Sequence, residues 1–285
     1  MGPDAEGSRR RAPTRVCTVA YRRVGAGEPV VLVHGGLSDL RSWTPQLTTL
    51  SREYDVIAWD APGCGGSDDP VRELGLEDFA DALADLVVAL DTGPVHLIGH
   101  SFGAGLSICL AGRRPELVRS LVLSGGYAGW RGSLSPAEVE ARLTGATTDL
   151  ARPPAEWVDR YLSTFFAGSV PPETSDLVRT MMLDVRPAQA VAMARAFAVA
   201  DLRPVLPAIA VPTLLVYGER DARASRTVAT RLHAAIAGAS LRFVPGAGHD
   251  VNLEAPREYD ETVLAFLRGL GPTSVVVEQP QEQTP

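Results

Sequence analysis

Short, mainly apolar runs recur along the chain, and each run ends in a turn rich in glycine, proline or small polar residues. The runs are rich in β-branched residues and do not follow a strict apolar–polar alternation. A parallel strand needs this pattern, because helices cover both faces of its sheet. The pattern therefore predicts parallel strands. They lie at residues 30–33, 55–59, 95–98, 118–123, 213–217 and 241–244.

Amphipathic segments separate these runs. One of them repeats Phe79, Leu83, Leu86 and Leu90 at helical spacing, with acidic residues off that stripe. Alternating strands and helices predict an α/β fold with a doubly wound, mostly parallel sheet and right-handed crossovers. Ligands bind such sheets at the carboxyl ends of the strands. We therefore expect the chemistry to lie in the turns that follow the apolar runs.

The alternation stops between residues 127 and 210, where no strand pattern is visible. Helix start signals recur there at Pro136, Pro154, Pro171 and Pro187. We interpret residues 127–210 as a helical cap inserted over the carboxyl edge of the sheet. The core would then consist of residues 16–126 and 211–271.

Large apolar side chains of the cap are candidate substrate contacts, although for any single one of them packing of the cap against the sheet is the favoured interpretation. Together they indicate a mainly apolar cavity for a small molecule. In the core, Leu37 and Trp43 are further candidates, although Trp43 suits core packing as well. The candidates in the cap are Trp157, Phe165 and Met182.

Composition narrows the class of protein. The net charge of -7 gives no electrostatic reason to bind nucleic acid or an anionic membrane. No apolar run approaches the roughly 18 residues of a transmembrane helix. Three cysteines without a spacing pattern argue against disulfides and zinc and fit a cytoplasmic protein. Residues 1–15 and 272–285 are polar and are expected to be disordered tails. A monomer and a homodimer remain equally open.

Residues 99–103 have the form G-x-S-x-G, between an apolar strand and a helix. This is the setting of a nucleophile elbow, in which a strained turn exposes the serine hydroxyl and small neighbours let strand and helix approach. Ser101 is therefore the predicted nucleophile. The side chain of the adjacent His100 is expected to point away from the site.

A serine hydroxyl is a poor nucleophile unless a neighbouring base removes its proton. Of the five histidines, His249 lies in a loop directly after the last predicted strand, at the same sheet edge as Ser101. Its imidazole needs a carboxylate that fixes its tautomer. Asp221 follows the strand at 213–217 and fits this role. Glu219 is a rival, but its position directly after the turn glycine should turn it aside.

Acyl transfer also requires donors for the developing oxyanion, and the loss of one donor typically costs about 2.7–4 kcal/mol. The backbone N–H of Phe102 is the first predicted donor. The second should come from the glycine turn at 34–36, where the backbone can approach closely. Gly36 is the predicted donor, with Leu37 as the alternative.

These motifs identify a resemblance to the α/β-hydrolase superfamily, in its capped Ser-Asp-His esterase and enol-lactonase-like branch. The resemblance spans roughly residues 16–270 and implies a core of about eight strands, with Ser101 after the fifth. It also implies carboxylic ester hydrolysis without a metal or organic cofactor. The motifs are HGG at 34–36, DAPGCGGS at 60–67, GHSFGAG at 99–105, YGERD at 217–221 and GHDVNLEAP at 248–256.

The expected function is hydrolysis of an ester or lactone of a small, mainly apolar substrate through an acyl-Ser101 intermediate. Epoxide hydrolases and haloalkane dehalogenases of this fold use an aspartate nucleophile, which disfavours both. A C–C bond hydrolase, or a biosynthetic cyclase or lyase with the same triad, is an alternative. Such C–C hydrolases usually carry tryptophan after the histidine, where this chain has Asp250. A non-catalytic ligand-binding protein on this fold is a third alternative.

Overall fold

One sheet of eight strands runs through the protein in the computed structural model, which describes residues 8–271. The strands are β1 (Arg9–Pro13), β2 (Thr18–Gly25), β3 (Pro29–Val33), β4 (Asp55–Trp59), β5 (Val95–His100), β6 (Val118–Ser124), β7 (Thr213–Gly218) and β8 (Ser240–Val244). Their order in the sheet is β1-β2-β4-β3-β5-β6-β7-β8. β2 is antiparallel to both its neighbours, and all pairs from β4 to β8 are parallel. The predicted doubly wound, mostly parallel α/β sheet is confirmed.

Helices cover both faces of this sheet, and five of them lie between β6 and β7. The helices of the core are α1 (Thr44–Leu50), α2 (Leu76–Leu90), α3 (Phe102–Arg113), α9 (Arg226–Ala235), α10 (Val251–Glu254) and α11 (Pro256–Gly269). Those between β6 and β7 are α4 (Trp130–Ser133), α5 (Pro136–Leu150), α6 (Val158–Phe165), α7 (Pro172–Leu183) and α8 (Pro187–Val199). Single 3-10 turns lie at Leu40–Trp43, Pro115–Leu117, Pro154–Glu156 and Leu206–Ala208.

The two faces of the sheet bury separate apolar cores. On one face, α2 and α3 pack their apolar stripes against alternate residues of the central strands, among them Val31 and Leu97. On the other face, α1 and α11 cover the intervening residues, among them Val30 and Ile98. Burial on both sides explains why these strands read as mainly apolar runs. It also keeps the turns at their carboxyl ends fixed in place.

Arg9–Pro13 corrects the expectation of a disordered tail over residues 1–15. This segment is an edge strand whose backbone pairs with β2, and four of its five side chains are exposed. Arg15 further binds Asp85 on α2, with Nη2 2.7 Å from Oδ1. Charged side chains on an edge strand discourage pairing with other chains. Such a strand is polar and exposed, so its sequence resembles that of a tail. Residues 1–7 and the predicted tail at 272–285 lie outside the described residues.

Proline and serine signals begin the helices between β6 and β7. Ser135 caps α5 by accepting the N–H of Glu138, and the Glu138 carboxylate accepts the N–H of Ser135 in return. Proline occupies the first position of α5, α7 and α8, where its missing N–H costs nothing. No strand interrupts this part of the described chain. Among residues 8–271, no helix is both long and apolar enough to cross a membrane.

Candidate active site

The turn between β5 and α3 holds Ser101 in a strained backbone conformation, with φ 52° and ψ -109°. The Ser101 N–H donates to the carbonyl of Ser124, 2.8 Å away, which ties the turn to β6. A Cβ added at Gly99 would lie 2.4 Å from the Gly103 carbonyl oxygen, and one at Gly103 would lie 2.1 Å from that of Val33. Strand and helix therefore approach as closely as a nucleophile elbow requires.

His249 and Asp221 meet at the same sheet edge, from the loops after β8 and β7. Nδ1 of His249 lies 2.9 Å from Oδ2 of Asp221, and both side chains are buried. Since an ionised carboxylate only accepts hydrogen bonds, Nδ1 carries a proton, and in the neutral form of the ring Nε2 then has the free lone pair. Ser101 and His249 line one cavity. An imidazole in this tautomer is the form that a general base requires.

The Asp221 carboxylate is held in its charged form. Burial alone would raise its pKa, but the charge and hydrogen bond of His249 outweigh that effect and the pKa lies below its ordinary value. The backbone N–H groups of Arg223 and Ala224 add to this, since both donate to Oδ1 at 2.8 Å. Each carboxylate oxygen is therefore used, and the orientation of the pair is fixed.

The residues predicted to supply the oxyanion donors line the same cavity as Ser101. Gly36 and Phe102 both line the cavity. A Cβ at Gly36 would meet nothing within 4 Å, so this residue faces open space. Phe102 is the first residue of α3, where backbone N–H groups lack helical acceptors. Leu37 adopts a φ of 58°, which turns the chain sharply after the glycines.

Two buried side chains hold the loops around this site. Nε2 of His34 accepts the N–H of Ala61 at 3.0 Å, and Nδ1 donates to the Gly35 carbonyl at 2.7 Å. Asp60 accepts the N–H of Leu40 at 2.8 Å and that of Gly66 at 2.7 Å. Both are fully engaged with backbone groups, so they support the loops and are not available to a substrate.

His100 corrects the expectation that its side chain points away from the site. Its ring centroid lies 4.9 Å from that of His249, and its Nε2 donates to the His249 carbonyl at 3.1 Å. Asp250 lies on the same side, with Oδ1 3.5 Å from Nε2. Burial lowers the pKa of His100 to about 3 and raises that of Asp250 to about 6. His100 is therefore a neutral support that holds the His249 loop.

Potential metal-ligand atoms of His100, His249 and Asp250 lie within 4.8 Å of one another. Their hydrogen bonds account for this grouping. Nε2 of His100 is occupied by the His249 carbonyl, and Nδ1 of His249 by Asp221. A metal ion here would have to displace these contacts or take the free Nε2 of His249, the nitrogen that a general base needs. The expectation of a site without metal thus stays a prediction.

A cavity of about 380 Å³ opens over Ser101, between the sheet edge and helices α5 to α8. Two of the predicted substrate contacts, Leu37 and Phe165, line it. The Phe165 ring lies 6.0 Å from that of His249. This volume suits a small organic molecule and is within the range of ordinary ligand sites.

Three of the predicted substrate contacts are wrong, because their side chains are buried in packing contacts away from the cavity. Trp43 lies in the core beneath the sheet, with its ring 6.5 Å from that of Tyr259. Trp157 packs on Tyr161, and Met182 is fully buried among the helices between β6 and β7. None of the three lines the cavity, whereas Met181, the neighbour of Met182, does. Adjacent helical residues point about 100° apart, which explains why Met181 faces the cavity and Met182 does not.

No sequence pattern predicts several of the residues that line the cavity. Arg142 and Trp130 reach the cavity from α5 and α4, and Tyr127 from the loop after β6. Arg223 lies two residues after Asp221 and also lines the cavity. Arginines are scattered over the whole chain, so nothing in their spacing marks these two. The proximity of Arg223 to Asp221 was the one available signal.

Comparison with known proteins identifies the class. Residues 30–262 match the Alpha/beta hydrolase family, and the chain belongs to that family. It is 29% identical over 255 residues to (E)-2-((N-methylformamido)methylene)succinate hydrolase from Acinetobacter baylyi, covering 88% of this chain and 94% of that one. It is 30% identical over 269 residues to 2-(acetamidomethylene)succinate hydrolase from Mesorhizobium japonicum, covering 90% and 94%. The protein is thus a hydrolase of the α/β fold family, as the sequence predicts.

Solved structures give the same answer for the fold. A thermophilic esterase from Thermogutta terrifontis superposes with a TM-score of 0.85 at 27% identity, covering 93% of this chain and 99% of the esterase. The enol-lactonase from Burkholderia xenovorans superposes with a TM-score of 0.83 at 26% identity, covering 91% and 100%. The esterase and enol-lactonase resemblance of the sequence therefore extends over the whole described fold.

Proposed function

We propose that the protein is a serine hydrolase that cleaves an ester or lactone through a covalent acyl-Ser101 intermediate. The observation that carries the proposal is the pairing of His249 with Asp221 beside a strained Ser101 at the edge of one cavity. An orienting carboxylate, a base with a free Nε2 and a nucleophile on a sharp turn are what acyl transfer requires.

In the first half of the reaction, the Ser101 hydroxyl attacks the carbonyl carbon while Nε2 of His249 takes its proton. The negative charge that develops on the carbonyl oxygen is stabilised by the N–H groups of Phe102 and Gly36. Collapse of this intermediate breaks the bond to the leaving oxygen, which receives the proton from His249. The Asp221 carboxylate stabilises the imidazolium that exists in between.

In the second half, water replaces the alcohol. His249 removes a proton from the water as its oxygen attacks the acyl carbonyl. The second tetrahedral intermediate expels Ser101, which recovers its proton from His249, and the acid leaves. No atom or electron is needed beyond the substrate and water.

A second candidate is hydrolysis of a C–C bond by the same three residues. It is favoured by one match, 43% identical over 106 residues, to 2-hydroxy-6-oxo-2,4-heptadienoate hydrolase from Pseudomonas putida; that match covers only 36% of this chain. Asp250 occupies the position after His249 where the resemblance implies tryptophan in C–C hydrolases. Loss of dienoate absorbance faster than aryl ester cleavage would favour this candidate.

Turnover of aryl esters and lactones by Ser101→Ala and His249→Ala tests the proposal. We expect kcat/KM to fall by about 10⁴-fold or more in each, because neither the nucleophile nor its base can be replaced. Ser38→Ala is the matched control, since Ser38 lines the same cavity without lying on the elbow. It should change kcat/KM by less than about tenfold. Activity near that of the wild type in folded Ser101→Ala would contradict the proposal.

A further inference from the structure

Two arginines line the cavity close to the proposed catalytic residues. Arg142 reaches in from α5, where Nη1 donates to the Tyr127 hydroxyl at 3.0 Å and Nη2 to the Arg223 carbonyl at 2.8 Å. Its guanidinium lies 5.5 Å from the centre of the Tyr127 ring and 5.8 Å from that of Trp130. Two aromatic rings and two hydrogen bonds therefore fix this cation in one place.

The second cation is the guanidinium of Arg223, the residue whose backbone carbonyl accepts the hydrogen bond from Arg142. Nη1 of Arg223 donates to the Thr164 hydroxyl of α6 at 3.0 Å, and the guanidinium lies 4.8 Å from the centre of the Phe165 ring. The Phe165 ring in turn lies 6.0 Å from that of His249. Arg223 is thus one aromatic ring away from the proposed general base.

Neither arginine has a carboxylate partner among the described residues. The third arginine of the cavity, Arg160, forms an ion pair with the buried Asp149. The oxygens of Asp221 are taken by His249 and by two backbone N–H groups, and Asp250 faces His100. Neutral oxygens and rings satisfy part of each guanidinium. The charge of Asp250 attracts Arg223, but no carboxylate of the described residues forms an ion pair with either guanidinium. Burial also lowers the pKa of Arg223, a sign that its charge is poorly solvated.

We propose that Arg142 and Arg223 bind a carboxylate of the substrate, and this inference rests on the proposed function. The substrate class is then an ester or lactone that carries a free carboxylate apart from the scissile carbonyl. A guanidinium offers several N–H donors in a planar fork that matches a carboxylate. The carboxylate would supply the missing counter-charge, and charge-assisted hydrogen bonds of this kind are strong. The apolar lining would hold the chain that joins the two groups.

A purely structural role for the two arginines makes a different prediction. Arg142 and Arg223 tie α5 and α6 to the loop that follows Asp221, and such ties would matter equally for every substrate. Only a carboxylate-binding role makes the loss depend on the charge of the substrate. The ratio of two kcat/KM values, for a charged ester and its neutral twin, therefore separates the two roles.

The experiment compares the 4-nitrophenyl monoester of adipic acid with its 4-nitrophenyl methyl diester, in wild type, Arg142→Met and Arg223→Met. For the wild type, kcat/KM should be about tenfold or more higher for the monoester, which carries the free acid, than for the diester. Each variant should lower the ratio of acid to diester kcat/KM by about 10- to 100-fold, mainly through KM, because a charge-assisted contact is lost. Arg142→Lys should recover part of the ratio. Arg220→Met is the matched control, because Arg220 is exposed on the same loop outside the cavity.

A ratio that is the same in wild type and in both variants would overturn the carboxylate site, even with high turnover of both esters. A second readout keeps this separate from failure of the proposed function. If neither ester is turned over, adipate should still raise the Tm of the wild type and raise it less in Arg142→Met. Absence of any stabilisation by adipate in the wild type would overturn the site as well.

Discussion

The turns at the carboxyl ends of the strands and the helices between β6 and β7 contribute to the same cavity, but they are built differently. Where the turn after β5 enters α3, the backbones pack closely: a Cβ at Gly103 would lie 2.1 Å from the Val33 carbonyl oxygen. The helices are fixed by side-chain packing, and α5 tolerates open space, since a Cβ at Gly145 would meet nothing within 4 Å. Under the proposed function, the chemistry would depend on the closely packed turn and the choice of substrate on the more open helices.

A glycine-to-alanine substitution in each region should show this difference most strongly, through its effect on the free energy of unfolding. Gly103→Ala should destabilise the protein by more than about 3 kcal/mol, because α3 must move away from β3. Gly145→Ala should instead stabilise it by about 0.5–1 kcal/mol, through the reduced entropy of the unfolded chain. Urea unfolding followed by circular dichroism measures both. Equal destabilisation by the two substitutions would contradict the contrast between the regions.

The two adjacent methionines of α7 sharpen the comparison within the helices. Met182→Ala should cost about 2–4 kcal/mol of stability, because a fully buried side chain leaves a hole in the packing. Met181→Ala enlarges the cavity, so it should shift the preference among aryl esters towards longer acyl chains. Thermal unfolding and a series of 4-nitrophenyl esters from acetate to octanoate distinguish these effects. A longer-chain preference in Met182→Ala instead would contradict the assignment of Met181 to the cavity wall.

Asp250 gives a smaller expected effect than Met182, with a pH dependence of known sign. Burial raises the pKa of its carboxyl to about 6, against the attraction of His249 and Arg223 and with repulsion from Asp221 and Glu254. The folded state thus binds this proton more tightly than the unfolded state does. Ionisation of Asp250 does not lower the free energy of unfolding below about pH 4, where the carboxyl is protonated in both states. The loss of stability reaches its full value above about pH 6. Asp250→Asn should therefore gain about 1–2 kcal/mol relative to wild type at pH 7.5, and less at pH 4.5.

A control with the opposite sign accompanies this measurement. The hydrogen bond and charge of Arg203 hold the pKa of Asp201 below its ordinary value, so its ionised form favours the folded state. Asp201→Asn should lose stability relative to wild type, and the loss should disappear as the pH falls through the pKa of the folded state. A stability difference for Asp250→Asn that stays constant with pH would contradict the buried, proton-retaining carboxyl.

The two regions also differ in how far the sequence predicts them. Sequence patterns find the sheet from β3 to β8. Burial on both faces leaves mainly apolar runs in the central strands, whereas the edge strand β8 alternates exposed with more buried positions. Sequence patterns also place Ser101, Asp221 and His249 correctly at one edge, since each follows a strand directly. The edge strand Arg9–Pro13 is missed, because pairing with β2 leaves no apolar signature.

Predictions fail where position depends on packing in three dimensions. Large apolar side chains are common in substrate pockets, but those of Trp43, Trp157 and Met182 are buried in the core or between the helices. The cationic pair Arg142 and Arg223 is invisible in sequence, because the two residues are 81 positions apart. Only the fold brings the Arg142 guanidinium to the Arg223 backbone carbonyl, which accepts its hydrogen bond. The rotation of α5 and α7 about their axes decides such contacts, and no local pattern sets it to within one residue.

The central claim is that Ser101 is a nucleophile activated by His249. Labelling of the purified protein with a fluorophosphonate, followed by mass-spectrometric mapping of the adduct, tests it without knowledge of the substrate. We expect one adduct, on Ser101, that is lost in Ser101→Ala and strongly slowed in His249→Ala. An adduct on another residue, or none on a folded protein that admits the probe to its cavity, would contradict the account.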